Sequence, residues 1–195
     1  ILPLYKGKGA HDDTDNYRGI TLLSCVGKLF TSVVNERITS YINCAGILGD
    51  EQAGFRAGFS TMDHIFTLHS ILNLYLCNKK RVYCAFIDYH KAFDLVDRTS
   101  LWCKLLASDI NGKILNVIYN MYENAKSCVL VGNEKSELFR CNIGVRQGEN
   151  LSPLLFAIYL NDFEYFISKS YKGLSFLSEN VQTYRSEERR VGKEC

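Results

Sequence analysis

The chain has 195 residues, of which 47% are hydrophobic, and its 23 basic residues against 21 acidic ones give a formal net charge of +2. The chain has no excess of basic residues that would by itself indicate nucleic-acid binding. The sequence also contains no internal repeat or low-complexity segment. No apolar run approaches the roughly 20 residues that a membrane-spanning helix needs, so the sequence predicts no membrane association.

The pattern of apolar residues predicts an α+β chain. Helical spacing predicts five helices, at Lys28–Ile42, Ser60–Cys77, Leu101–Leu106, Lys113–Glu123 and Leu151–Ser168. An apolar, β-rich run predicts a central strand over Val82–Asp88. A β-hairpin is predicted around Gly132-Asn133, with arms at Ser127–Val131 and Glu137–Ile143.

The eight cysteines form no C-x-x-C pair, and the four histidines do not stand at zinc spacing from them. A structural zinc site is therefore not expected. We expect His64 and His69 to lie on a helix face. Without an N-terminal signal region, the cysteines are predicted to be buried free thiols of an intracellular protein. Ile1 is not an initiator Met, so the N-terminus is expected to be incomplete.

One candidate metal ligand stands at the end of the predicted central strand. The stretch Phe-Ile-Asp-Tyr-His-Lys-Ala-Phe-Asp begins at Phe86 and carries Asp88 at the strand tip. A buried strand that ends on a carboxylate can hold a hard cation such as Mg²⁺. By position alone, an Asp there is more often a helix cap or turn residue, so both interpretations stay open.

A second candidate segment runs from Gly144 to Pro153, as Gly-Val-Arg-Gln-Gly-Glu-Asn-Leu-Ser-Pro, into an apolar helical pattern. A glycine-flanked Arg-Gln pair lets backbone and planar donors approach a ligand closely. Pro153 then lies near the first helical turn, where proline is tolerated. The alternative is an ordinary loop followed by a helix cap.

Together these segments resemble motifs A and B of the reverse transcriptase palm, in the form found in non-LTR (LINE-type) retrotransposon polymerases. The family reads roughly F-x-D-x-x-K-A-F-D-x-V and then G-V-x-Q-G-x-x-L-S-P-x-L-F, with an Asp six residues later. Upstream, Asn-Tyr-Arg-Gly-Ile from Asn16 and Gln-Ala-Gly-Phe-Arg from Gln52 resemble its fingers motifs. The resemblance implies the fingers and partial palm of a right-hand polymerase, acting as an RNA-directed DNA polymerase.

The resemblance also implies a site. Asp88 would be catalytic and would bridge two Mg²⁺ ions, and the backbone carbonyl of Tyr89 would add a ligand. Phe93 would lie under the sugar and exclude a 2′-OH, the group that distinguishes RNA from DNA building blocks. Its alternative is a core aromatic residue. Asp94 lies one place too far along to contact the ribose and is expected to hydrogen-bond locally.

Other implied contacts involve the nucleotide and the template. The dNTP would meet Arg18, through the bidentate fork that suits phosphate, and Lys6 or its neighbour Lys8. Gln147 and Gly148 would contact the base pair of nucleotide and template. The template path would be lined by Gln52, Phe55 and Arg56. The implied partners are therefore an RNA template, a DNA primer and dNTPs, and family members work in the cytoplasm and nucleus.

The family's Tyr/Phe-Ala-Asp-Asp motif, which would supply further metal carboxylates, does not occur after Asp162. Residues 185–195 read as the in-frame translation of a sequencing adapter, so we expect a truncated and inactive chain. The expected division is a fingers-like region leading into the palm (1–80), a partial palm (81–175) and a tail (176–195). Two alternatives stay open: a non-catalytic polymerase remnant or nucleic-acid-binding module, and a group II intron-type maturase.

Overall fold

The computed structural model describes residues 1–163 and 165–166, together with the backbone of residues 174–176 and 179–181. Within these residues the α-helices are α1 (Cys25–Ala45), α2 (Thr61–Cys77), α3 (Arg98–Ala107), α4 (Gly112–Glu123) and α5 (Ser152–Tyr159). Its strands are β1 (Leu2–Tyr5), β2 (Tyr17–Ile20), β3 (Lys126–Ser127), β4 (Leu130–Val131), β5 (Glu134–Lys135), β6 (Phe139–Arg140), β7 (Leu174–Phe176) and β8 (Glu179–Val181). This mixture of helices and short strands agrees with the predicted α+β class.

In the described part of the chain, the strands form four antiparallel pairs: β1 with β2, β3 with β6, β4 with β5, and β7 with β8. The residues divide into two compact units. Unit 1 comprises Ile1–Ile47 and Lys91–Tyr159, and unit 2 comprises Leu48–His90 and the described residues after Tyr159. The domain boundaries predicted from the sequence, near residues 80 and 175, stay a prediction.

The four helices predicted before residue 124 are confirmed, and their ends are set by local hydrogen bonds. Ser24 caps α1 by accepting from the Gly27 amide at 3.0 Å, and the helix ends at Gly46, whose φ of +60° favours glycine. Ser60 and Asp63 form a capping box at the start of α2. His64 and His69 lie on this helix as predicted.

The predicted hairpin is also confirmed, but its arms are interrupted. Leu130 pairs with Lys135 across the Gly132-Asn133 turn, and Lys126 pairs with Arg140 further out. The last helix is shorter than predicted. Of Leu151–Ser168, the regular helix α5 covers Ser152–Tyr159, and a turn follows at residues 160–162. Part of the predicted remainder lies outside the described residues.

The core of unit 1 lies where α3 packs against α4 and α5. Leu101 and Leu105 of α3, Ile118 of α4 and Leu155 of α5 are fully buried. Burial of such side chains stabilises a domain by about 1.5–3 kcal/mol each, before cavity terms. This core anchors the segment of residues 144–152, and it therefore supports the candidate site described below.

Two predictions were wrong. Val82–Asp88 forms no strand. This segment is mostly exposed, with 86% of Tyr83 and 85% of Phe86 accessible, and among the described residues no strand pairs with it. A strand needs a partner for its backbone groups, so an apolar β-rich run alone does not form one. The seven cysteines in the described part of the chain are free but not buried. Five are exposed and two are half-buried: Cys25, Cys44, Cys77, Cys84 and Cys103, then Cys128 and Cys141.

No helix in the described part of the chain is long and apolar enough to cross a membrane.

Candidate nucleotide and metal site

The β1–β2 hairpin carries the two basic residues predicted to meet a triphosphate. Arg18 lies on β2 opposite Leu4. Lys6 follows β1 directly; its backbone amide donates to the Asn16 carbonyl at 2.8 Å, and its Nζ donates to the Asp15 carbonyl at 2.6 Å. The hairpin therefore places both basic side chains near the base of one loop, residues 6–16, in unit 1.

The segment after β2 is joined to the loop that carries Gln147 and Gly148. The Thr21 amide donates to the Gln147 carbonyl at 2.8 Å. Gly148 has a φ of +99°, and a Cβ built there would lie 3.1 Å from the Thr21 carbonyl oxygen. Glycine is favoured at this position for both reasons, backbone conformation and close approach. The hairpin residue Arg18 is therefore three positions away from a direct backbone contact with this loop.

The same loop is joined at its other end to the segment that carries Phe93. The Val145 amide donates to the Phe93 carbonyl, and the Gly144 amide donates to the Val96 carbonyl, both at 2.8 Å. The Phe93 ring stacks on Phe156 of α5, with ring centroids 5.0 Å apart. A Cβ built at Gly144 would lie 2.5 Å from the Asp94 carbonyl oxygen, so any other residue there would force these segments apart.

Unit 1 therefore brings the five predicted dNTP residues onto segments that contact one another. Two backbone junctions do this: the first joins the end of β2 to residue 147, and the second joins residues 93–96 to residues 144–145. The residues on these connected segments are Lys6, Arg18, Phe93, Gln147 and Gly148.

One contact in this region was not predicted. The Lys91 ammonium lies 2.6 Å from the Asp15 carboxylate and so ties the loop of residues 6–16 to the Phe93 segment. The hydrogen bond and the charge of Asp15 raise the pKa of Lys91. Burial raises the pKa of the nearby Asp94 carboxyl, and the positive charges of Lys91 and Lys6 oppose that rise. Periodicity carries no signal for an ion pair between residues so distant in sequence.

A buried polar cluster lies behind the Gln147–Gly148 turn and was also missed. Glu149, only 3% exposed, accepts a 2.8 Å hydrogen bond from the hydroxyl of the fully buried Tyr122. Burial raises the pKa of both side chains. Arg98, also buried, donates to the carbonyls of Cys141 and Gly144 at 2.6 and 2.9 Å. No role was predicted for Glu149 from the sequence, and its partner on α4 is 27 residues away.

The predicted metal ligands lie in unit 2. Asp88 is exposed, and the Tyr89 ring meets Phe163 edge to face at 6.3 Å between centroids. Within the described ranges, no group of three His, Cys, Asp or Glu residues could hold a metal ion. Asp88 and the Tyr89 carbonyl are hard oxygen donors of the kind Mg²⁺ prefers, but they supply part of a ligand set.

The predicted template residues also lie in unit 2. The Arg56 guanidinium donates to the Gly49 and Gln52 carbonyls at 2.6 and 3.1 Å and lies 4.3 Å from the centre of the Phe59 ring. Phe55 has a φ of +59° within this turn. Gln52 is fully buried, and its side-chain amide has no hydrogen-bond partner among the described residues. Arg56 thus holds the turn together, and the template role of all three residues stays a prediction.

The hairpin, the glycine-bounded loop and the aromatic segment are joined by backbone hydrogen bonds within unit 1. Comparison with protein families identifies the class of protein, because residues 6–185 match the family described as Reverse transcriptase (RNA-dependent DNA polymerase). The chain belongs to the reverse transcriptase family.

Curated relatives come from non-LTR retrotransposons. The chain is 30% identical over 83% of its length to "Probable RNA-directed DNA polymerase from transposon BS" of Drosophila melanogaster, covering 18% of that protein. It is 27% identical over 83% of its length to the RNA-directed DNA polymerase from mobile element jockey of the same species, covering 18%. With the type-1 R2 Pol polyprotein of Nasonia vitripennis it shares 29% identity over 72% of its length, covering 13%. The chain thus spans less than a fifth of the length of these relatives.

Proposed function

We propose that this chain forms the nucleotide-binding part of an RNA-directed DNA polymerase that adds dNTPs to a primer 3′-OH on an RNA template. The observation that supports this most is the pair of backbone junctions in unit 1, Thr21 to Gln147 and Val145 to Phe93. They connect the basic hairpin, the aromatic segment and the glycine-bounded loop into one surface. Positioning is the main task of a phosphoryl-transfer site, so such connections matter for activity.

In this proposal Arg18 and Lys6 bind the triphosphate. A guanidinium binds phosphate oxygens bidentately and supplies orientation as well as charge. The Lys6 ammonium already donates to the Asp15 carbonyl, which places it beside the loop. Each of these contacts is an attraction between a positively charged side chain and the negatively charged phosphates. Salt screens this attraction, so nucleotide binding should weaken as the salt concentration rises.

Phe93 selects the sugar in this proposal. Its ring is half-buried and fixed by stacking on Phe156, so it cannot move aside easily. A fixed aromatic ring beneath C2′ leaves no room for a hydroxyl group. Gln147 and Gly148, on the neighbouring loop, would contact the base pair formed by the nucleotide and the template.

Asp88 and the Tyr89 carbonyl would supply some of the metal ligands in the complete enzyme. When bound, two Mg²⁺ ions would stabilise negative charge on the attacking and leaving oxygens. One carboxylate does not hold two such ions, so the remaining ligands must come from beyond this set.

The test is Mg²⁺-dATP binding by the chain, measured by titration calorimetry for the wild type, Arg18→Ala and the matched control Arg140→Ala. Arg140 is an exposed residue on β6 of the same unit. We expect Arg18→Ala to weaken binding about tenfold or more, because a charge-assisted phosphate contact is lost, and the control to have no effect.

Equal weakening by both variants would show that only general positive charge matters. Binding of RNA without any binding of dATP would instead favour a nucleic-acid-binding module without polymerase chemistry.

A further inference from the structure

The loop that presents Gln147 and Gly148 is held from behind by a buried carboxylate. Glu149 accepts from the Tyr122 hydroxyl through Oε2 at 2.8 Å, and that hydroxyl also lies 3.3 Å from Ser152 Oγ. The other oxygen, Oε1, has no hydrogen-bond partner among the described residues; Arg146 Nη1 lies 3.7 Å from it. The carboxylate therefore contacts α4 and the loop itself, and the Tyr122 hydroxyl links it to the start of α5.

The Tyr122 ring, in turn, lies close to two guanidinium groups. Arg98 and Arg146 lie 5.0 and 5.2 Å from its centre. Arg98 donates to the Gly144 carbonyl at 2.9 Å, and Arg146 donates to the Met121 carbonyl at 2.6 Å. Arg98 of α3 thus holds Gly144, while Arg146 and Glu149 attach the loop to the last turn of α4, and the Gln147–Gly148 turn lies between the Arg146 and Glu149 attachments.

Packing alone does not explain a carboxylate in this position. Burying a charged group is costly unless hydrogen bonds and an opposite charge compensate, and an apolar side chain would fill the space at lower cost. Burial raises the pKa of Glu149, while the Tyr122 hydrogen bond and the Arg146 charge oppose that rise. What the carboxylate adds is direction, because it accepts from one defined donor and attracts one defined cation.

We propose that Glu149 is a positioning residue: through Tyr122 and Arg146 it fixes the orientation of the Gln147–Gly148 turn against the end of β2. This inference rests on the proposed function, in which that turn contacts the incoming dNTP. Glu149 itself touches no substrate; it acts through the turn. Its loss should therefore alter the turn while the rest of unit 1 stays in place.

The structure supplies a local reporter for this effect. The Thr21 amide donates to the Gln147 carbonyl, so its hydrogen-exchange rate measures how often the turn leaves its position. The amides of Gly144 and Val145 report the other junction, with residues 93–96. Amides in the interior of α1 report general stability and serve as the internal reference.

The experiment compares residue-resolved amide exchange, by NMR on the 195-residue chain, for the wild type, Glu149→Gln and Tyr122→Phe. The matched control is Glu134→Gln, the same substitution at an exposed position on β5. Both test variants should accelerate exchange at Thr21 about tenfold, because each removes or weakens a hydrogen bond to a charged acceptor. Rates in α1, and all rates in the control, should stay unchanged.

Unchanged exchange at Thr21 in both variants would overturn the proposal. So would uniform acceleration throughout unit 1, or loss of folding in both variants, because each would show a general structural role. If only Glu149→Gln fails to fold, the Tyr122→Phe result decides the question by the same criteria.

A second measurement separates this inference from the proposed function. Mg²⁺-dATP binding should weaken about tenfold in Glu149→Gln and not in Glu134→Gln, following the change at the turn. If the wild-type chain binds no dATP, the proposed function fails, and the exchange data still decide whether Glu149 positions the turn. If dATP binds equally well to wild type and Glu149→Gln while Thr21 exchange rises, the turn does not contact the nucleotide, and the inference is overturned in its functional part.

Discussion

Replacing Arg98 by methionine should destabilise the chain more than any exposed charge substitution. The guanidinium donates to four carbonyl oxygens, those of Cys141, Gly144, Ile143 and Tyr122. Methionine keeps the unbranched aliphatic stem but removes every donor. The carbonyls at the start of the 144–149 loop would then lose partners in a region where the arginine is only 7% exposed.

The magnitude follows from the shorter of these bonds. The contacts to Cys141 and Gly144, at 2.6 and 2.9 Å, are worth about 1.5 kcal/mol each as hydrogen bonds from a charged donor. The two bonds at 3.3 Å add little. Burial lowers the pKa of Arg98, which shows that the charge is partly desolvated, so its removal recovers some of the loss. We expect a net loss of about 2–3 kcal/mol in the free energy of unfolding, a large part of a typical total of about 5–15 kcal/mol.

The assay is urea unfolding followed by the fluorescence of Trp102, the single tryptophan. Its ring lies 5.9 Å from those of Tyr119 and Tyr122, next to the affected cluster. Arg37→Met, at an exposed position on α1, is the matched control and should change stability by less than about 0.5 kcal/mol. Arg98→Lys should be intermediate, because an ammonium cannot reach carbonyls on so many sides. A loss in Arg98→Met no larger than that of the control would refute the reasoning.

Four further outcomes are expected. Phe93→Ala should raise the affinity for ATP relative to dATP, measured by competitive titration; an unchanged ratio would remove its role in sugar selection. In a polymerase that carries this chain, Asp88→Ala should abolish primer extension and leave RNA binding nearly intact, and retained extension would contradict its metal role. Because burial raises the pKa of Glu149 from its usual value of 4.5, stability should fall as the pH rises from about 4.5 through the raised pKa. Urea titrations should show this slope in the wild type and a smaller slope in Glu149→Gln, because Asp94, whose pKa is also raised by burial, still contributes. In the native chain, thiol labelling with mass mapping should modify the five exposed cysteines before Cys128 and Cys141: Cys25, Cys44, Cys77, Cys84 and Cys103.

The elements that the sequence predicted well are those whose signals are local. The start of α2 depends on its Ser60 cap, and both helices depend on apolar residues three and four positions apart, although α1 (Cys25–Ala45) extends three residues beyond the predicted Lys28–Ile42 at each end. The hairpin turn depends on Gly132 itself, which adopts a φ of +59° that glycine tolerates. Such features are set within a few residues, so periodicity and turn chemistry suffice to locate them.

The failures involve features that depend on distant partners. The apolar character of Val82–Asp88 shows that it suits a strand but does not show whether another strand lies beside it. The burial of Glu149 depends on Tyr122, and the Lys91–Asp15 pair joins residues 76 positions apart. The prediction that the cysteines are buried was wrong for a similar reason. A thiol suits a core, but whether a helix position faces inward depends on what packs against that helix.

The site shows the same division. The sequence motifs assigned Phe93 and Gln147 to one family pattern, and in the structure the segments that carry these residues are joined within unit 1. The sequence motif did not indicate that the Gln52 side chain is fully buried, or that Arg56 donates to nearby carbonyls. Those properties follow from the packing of the turn at residues 49–59, which no motif encodes.

The junction between residues 93–96 and 144–145 has a consequence for how this sequence can diverge. Its hydrogen bonds run between backbone atoms, so they do not depend on which side chains stand at positions 94 and 95. Gly144 is different, because a Cβ there would meet the Asp94 carbonyl at 2.5 Å. A retrotransposon copy that accumulates substitutions can therefore vary Asp94 and Leu95 and keep the two motifs in register. A single change at Gly144 would separate them, so that codon is a sensitive indicator of whether a copy has decayed.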